Sequence, residues 1–102
     1  MALHKITTIN DLPPGSARAV EVAGRRIAVF NANGIFHAID DECPHEGGPL
    51  SEGLVGDGCV TCPWHGAEFD LRTGKVLTPP AVEDVRSYNV VVSGDDVCVE
   101  IE

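Results

Sequence analysis

The sequence predicts an all-β domain: a sandwich of antiparallel strands carrying a loop-rich insertion at its centre. Three observations lead there. Short apolar or alternating runs recur along the chain, each broken by Gly, Pro, Asn or Asp, the pattern of strands joined by tight turns. Neither a helical nor a βαβ pattern is present. Between about residues 41 and 82 the runs shorten and turn-forming residues crowd together, with Pro44, Pro49, Pro63, Pro79 and Pro80 among them.

The elements follow in order. After a first strand, Asn10–Gly15 reads as a turn or short loop. Ala17–Val22 and Arg26–Asn31 flank Ala23-Gly24-Arg25, a tight-turn segment. Gly34–Asp40 follows the turn cluster Asn31-Ala32-Asn33; Ile35, His37 and Ile39 share one face, Phe36 and Ala38 the other. Short strands fit at Gly58–Thr61, Ala67–Asp70 and Lys75–Leu77, and a single helical turn fits near Gly48–Glu52 or in Asn10–Gly15. Val85–Ser93 and Asp96–Ile101 flank Gly94-Asp95 as a C-terminal hairpin, with Val97, Val99 and Ile101 on one face and Cys98 and Glu100 on the other.

A chain of 102 residues is one domain, 1–102, with a base fold over about 1–40 and 83–102 and a subdomain over about 41–82. Loops so irregular are expected to bury little core of their own and to be held by a bound metal. With 7 basic and 16 acidic residues, net charge −9, neither nucleic acid nor an anionic membrane is an expected partner. No apolar run approaches the roughly 18 residues of a membrane span. The N-terminal Met1–Lys5 has no apolar segment of a secretory signal, so the expected compartment is the cytoplasm, where four cysteines do not imply disulfides. No Lys or Arg lies between Arg26 and Arg72, a stretch holding Asp40, Asp41, Glu42, Glu46, Glu52, Asp57, Glu68 and Asp70. That is a solvated acidic surface, compatible with steering a basic partner.

Inside that stretch lie Cys43-Pro44-His45 and Cys62-Pro63-Trp64-His65, separated by sixteen residues, Glu46 to Thr61. Each supplies a thiolate and an imidazole. Ligands two apart in an extended backbone point the same way, and Pro44 favours that geometry at Cys43; ligands three apart suit a tight turn. Gly47, Gly48 and Gly66 permit close approach of backbone to a bound group. The set Cys43, His45, Cys62 and His65 suits a [2Fe–2S] cluster with both Cys on one iron and both His on the other, or a tetrahedral zinc. Two ferric ions, two sulfides and two thiolates are neutral, whereas four thiolates leave the cluster at minus two; His ligation therefore raises the potential. Cys59-Val60-Thr61-Cys62 is a C-x-x-C, but a thioredoxin site requires a βαβ context that is missing. Cys59 and Cys98 are expected as packed thiols, His4 and His37 as structural or exposed, and Trp64 as a partly exposed apolar shield.

The pattern C-x-H-x16-C-x-x-H resembles the Rieske [2Fe–2S] motif, and the likeness extends through Gly66-Ala67-Glu68-Phe69-Asp70, Arg72-Thr73-Gly74 and Pro79-Pro80. These residues beyond the four donors favour iron–sulfur over zinc. The resemblance implies a Rieske-like fold of stacked antiparallel sheets, one [2Fe–2S] cluster per chain held by Cys43, His45, Cys62 and His65, and Thr78–Ala81 as a third, covering loop. Respiratory members of that family carry a cluster-bracing disulfide where this chain has Gly48 and Trp64, and Ser and Tyr hydroxyls where it has Ala67 and Phe69. Those differences imply a low potential, near ~−150 mV, and a resemblance to the soluble ferredoxins of ring-hydroxylating dioxygenases. The implied role is one-electron transfer from a flavoprotein reductase to a terminal oxygenase, without a substrate site of its own. The alternatives are a small subunit of an assimilatory nitrite reductase and a zinc-stabilised interaction module.

Overall fold

The computed structural model describes residues 2–42, 48–56, 58–64, 66–78 and 83–101. Among them are ten strands: β1 Ala2–Thr8, β2 Ala17–Val22, β3 Arg25–Ala32, β4 Ile35–Asp40, β5 Leu54–Gly56, β6 Cys59–Thr61, β7 Glu68–Asp70, β8 Ser87–Tyr88, β9 Val90–Ser93 and β10 Asp96–Ile101. One 3₁₀ turn, Leu50–Glu52, precedes β5. All named strand pairs are antiparallel, in three sheets of order β1-β10-β9, β2-β3-β4-β8 and β5-β6-β7.

The second sheet is the middle of a stack. Its strand β3 buries both faces, because successive side chains of a strand point oppositely. Ile27 packs with Ala38, Val99 and Ile101, and Val29 packs with Leu12 and Val97, which joins the middle sheet to the first. Ala28 and Phe30, on the other face, pack with Ile39, Leu50, Val60, Cys62, Ala67, Phe69, Leu71 and Val85, which joins it to the third. A strand buried on both faces reads as a continuous apolar run, here Ile27-Ala28-Val29-Phe30.

This second core revises the expectation that the central loops bury little. Phe69 and Val60 are fully buried, each burial contributing about 1.5–3 kcal/mol. The loops therefore pack on the middle sheet through their own apolar side chains.

Turn chemistry sets the hairpins. Val22 pairs with Arg25 across Ala23 and Gly24, both at positive φ, and Ala32 pairs with Ile35 across Asn33 and Gly34, likewise both positive. These are two-residue turns whose twist matches antiparallel strands. The β3–β4 turn is thus Asn33-Gly34 rather than Asn31–Asn33. Asn31 instead stays in β3, 4% exposed, where its side-chain amide donates to Leu12 O (2.7 Å) and its Oδ1 accepts from Gly34 N–H (2.7 Å). The first loop is fastened by that amide.

Two further expectations change. Val85–Ser93 is not one strand: β8 pairs with β4 in the middle sheet and β9 with β10 in the first, the break falling at Asn89. Tyr88 holds β8 in place by donating its hydroxyl hydrogen to Asp40 Oδ1 (2.6 Å). Lys75–Leu77 is no strand; only the isolated bridge between Phe69 and Val76 remains of it. The hairpin β9–β10, the buried face Val97, Val99 and Ile101, and the helical turn at Leu50–Glu52 are as expected.

Candidate metal centre

The third sheet carries one end of the site. β6 and β7 are joined by residues 62–67, and the pairing of Thr61 with Glu68 continues one step further, with Cys62 N–H donating to Ala67 O (2.8 Å). Within this turn Gly66 N–H donates to Cys62 O (3.1 Å), with Gly66 at φ +79°. Cys62, Pro63, Trp64 and Gly66 therefore belong to a tight turn at the hairpin tip. Cys62 is 2% exposed and packs in the core beneath it, whereas Trp64 is 60% exposed.

A second loop meets it. The bridge between Glu42 and Pro49 and the bond from Leu50 N–H to Asp41 O (2.6 Å) close the neck of residues 42–49. Gly48, buried on the returning side, lies against the first loop: a Cβ there would sit 2.9 Å from Cys62 Sγ and 3.2 Å from Trp64 Cγ. Only glycine fits. The two positions that hold a bracing disulfide in the resembling respiratory proteins are here in contact as a glycine under an indole.

A third segment is anchored to β7. Glu68 N–H donates to Thr78 Oγ1 (3.0 Å) and Leu77 N–H to Glu68 O (2.8 Å), so the chain runs along β7 into residues 79–82. On the way back Asp84 Oδ1 accepts from Val76 N–H (2.9 Å), and Val85 N–H donates to Gly74 O (2.9 Å). The neck of that loop is closed at both levels.

Of the four sequence-predicted ligands, Cys62 is the one the structure describes; Cys43, His45 and His65 lie outside the described residues, as do Pro79 and Pro80. What can be tested is whether the surroundings suit an iron–sulfur group. Cys62 presents a buried thiol toward Gly48, the described residue on the returning side of the first loop. Ala67 and Phe69, fully buried alongside, offer no hydroxyl. The described residues fit a [2Fe–2S] group.

Cys59, Cys98 and His37 lie on strands. Cys59 and Cys98 are half-buried rather than fully packed, Cys98 lying between Lys5 and Val91 in the first sheet. His37 pairs with Phe30 in the middle sheet. Burial pushes its pKa below the ordinary 6.5, opposed by the Asp70 carboxylate and aided by the Arg72 guanidinium. The folded protein thus holds His37 neutral where the unfolded chain would protonate it. Stability is retained above about pH 6.5 and is lost as pH falls below it toward the lowered folded value. Thermal melts across that interval are expected to show this slope in the native protein and a flatter one in His37→Gln; equal slopes would exclude His37 as the source.

Comparison with known proteins places this architecture. The family model of the Rieske [2Fe-2S] domain matches residues 2–89. The chain is 42% identical over 102 residues to the ferredoxin component of biphenyl 2,3-dioxygenase from Rhodococcus jostii, covering 100% of this chain and 95% of that one. Its fold matches the ferredoxin of carbazole 1,9a-dioxygenase from Nocardioides aromaticivorans with a TM-score of 0.94, at 31% identity and 100% coverage of both chains. It also matches, with a TM-score of 0.89 at 30% identity and covering 98% of this chain and 97% of that one, a chain in a complex of reduced oxygenase and oxidised ferredoxin in carbazole 1,9a-dioxygenase.

The chain belongs to the Rieske [2Fe–2S] family. Its cofactor is a single [2Fe–2S] cluster, and it is an electron-transfer component rather than a catalyst in its own right. No helix among the described residues is long and apolar enough to cross a membrane.

Proposed function

We propose that this chain, as one Rieske domain over 1–102, is a diffusing one-electron carrier that accepts an electron from a flavoprotein reductase and delivers it to a terminal oxygenase of the ring-hydroxylating kind. In this reading Cys43 and Cys62 bind one iron, and His45 and His65 the other. When bound, the cluster supplies one-electron redox chemistry at a potential set by its ligands and surroundings. The chain's own residues do the rest. Gly48 admits the Cys62 thiol, the Trp64 indole covers that approach, and the buried Ala67 and Phe69 give no hydroxyl to stabilise the reduced form.

The observation that supports the reading is the close approach of Gly48 to Cys62 Sγ, the described residues of the two segments whose sequences carry the proposed ligands. The relatives that are ferredoxin components, and the oxygenase complex of one structural neighbour, support the choice of partners. A cytoplasmic setting suits it, since a reducing compartment keeps ligand thiols available.

The test is direct. The pure chain is mixed with a candidate flavoprotein reductase and NADH, and then with a terminal oxygenase, while the visible spectrum is followed. Reduction by the first and reoxidation by the second, with separate elution of all three on gel filtration, is the expected result. Stable co-elution with a reductase would instead support a permanent subunit, as in assimilatory nitrite reductase. A colourless protein holding zinc without iron would exclude electron transfer.

A further inference from the structure

Buried carboxylates are rare unless paired, and the most completely buried one described here is Asp41, 1% exposed. Every polar group of Asp41 is used. Its N–H donates to Arg26 O (3.1 Å), and its O accepts from Leu50 N–H (2.6 Å). Oδ1 accepts from Ser51 N–H (2.7 Å), and Oδ2 accepts from Arg26 Nε (2.8 Å). These bonds join three pieces of chain: β3 at Arg26, the strand leaving the middle sheet at Asp41, and the 3₁₀ turn at Leu50–Ser51. The loop between the last two, residues 42–49, contains Cys43 and His45 and returns through Gly48 against Cys62 Sγ.

A neck of that kind could be closed by main-chain bonds alone. Burying a carboxylate there has a desolvation cost, offset only when its partners are well placed, and the best-attested use of such pairs is to fix register. Arg26 is suited to that task. Its side chain is 62% exposed, so its charge stays hydrated while Nε reaches the buried oxygen. It is also the last cation before the basic-free stretch that ends at Arg72.

We infer that the Asp41–Arg26 ion pair is a positioning device for the first ligand loop, and that its two opposite charges act on the potential of the group held there. This rests on the reading of Cys43 and His45 as ligands. Asp41→Asn keeps the acceptor for Ser51 N–H and removes the negative charge, leaving Arg26 unopposed. Arg26→Ala removes the positive charge and leaves the carboxylate.

The experiment compares the purified, cluster-loaded native protein with Asp41→Asn, Arg26→Ala and Arg26→Lys. It measures the midpoint potential by spectroelectrochemistry and the rate of iron release to a chelator. The potential is expected to rise in Asp41→Asn and fall in Arg26→Ala. Iron release is expected to quicken by about tenfold in both, as for the loss of one charge-assisted hydrogen bond. Arg26→Lys, which keeps the charge, is expected to restore the potential toward native. If Asp41→Asn does not fold, the contrast between Arg26→Ala and Arg26→Lys carries the same test. Potentials unchanged, or shifted in the same direction from both sides of the pair, would overturn the inference even if both variants melt earlier. A native chain that binds no iron would overturn the underlying reading of the ligands instead.

Discussion

Cys62→Ser is expected to give a folded, colourless protein with no iron or acid-labile sulfide. Cys62 is the proposed ligand that lies among the described residues, and it is buried in the core. Its sulfur sits in the core with Val60, Ala67 and Phe69. Its N–H and carbonyl are both engaged in the loop that carries Trp64. Gly48 faces its Sγ with no side chain, so that position supplies no donor to replace the lost thiolate. Serine keeps the shape but is a poor ligand for iron at neutral pH, and it buries a hydroxyl in an apolar cluster at a cost of about 1–3 kcal/mol. Cys62→Ala separates the two effects, because alanine adds no polar group. Both variants are expected to lack the visible spectrum, with Cys62→Ala melting higher than Cys62→Ser. Metal and sulfide analysis alongside circular dichroism checks this. A full complement of iron in either variant would remove Cys62 from the ligand set.

Gly74→Ala is expected to cost the most stability of any single-methyl addition. Gly74 lies at φ +78°, where a side chain is penalised by roughly 1–2 kcal/mol. A Cβ there would fall 2.1 Å from Val85 O, a backbone atom that cannot turn aside. Gly74 also receives the Val85 N–H that closes the neck of residues 75–84, and its own N–H donates to Asp70 O (2.8 Å). Relief of the clash must therefore open that neck or shift β7. Adding the overpacking cost of about 1–3 kcal/mol gives a loss of about 3 kcal/mol. A fall of several degrees in the melting temperature, with faster loss of iron, is expected. A melting temperature within a degree of native would show that the neck is more compliant than the packing implies.

The regular strands were legible because alternation and turn residues point the same way. Ile27–Phe30 and Val97–Ile101 declare themselves by apolar content and period. What alternation cannot show is the sheet a strand joins. Val85–Ser93 reads as one extended run, yet its halves leave for different sheets at Asn89, a decision made by Tyr88 bonding to Asp40 and Val90 packing on Val99. Leu54–Gly56 escaped notice because two apolar residues between Gly53 and Gly56 carry no period, and Leu54 stays 80% exposed on an edge strand. At the site, the four proposed donors are read from a spacing alone, and of them the described residues include Cys62. The role of Gly48 was only half legible, since a glycine near a ligand signals close approach without saying what approaches. Asp41 was misread as part of an acidic solvated surface. A charge beside other charges looks exposed in sequence, and only the fold brings Arg26 and Ser51 to it.

The electron-carrier reading turns on a single quantity, the midpoint potential of the cluster-loaded chain, titrated while the reduced-state electron paramagnetic resonance signal is followed. With the proposed two-histidine, two-cysteine ligation, buried Ala67 and Phe69 without hydroxyls and the acidic residues of the stretch between Arg26 and Arg72 are expected to set it at the low end of the range for that ligand set, around ~−150 mV. A one-electron transition near that value, with the signal of a mixed histidine and cysteine cluster, is the expected result. A potential well above zero, or no redox-active signal at all from protein containing its metal, would contradict it.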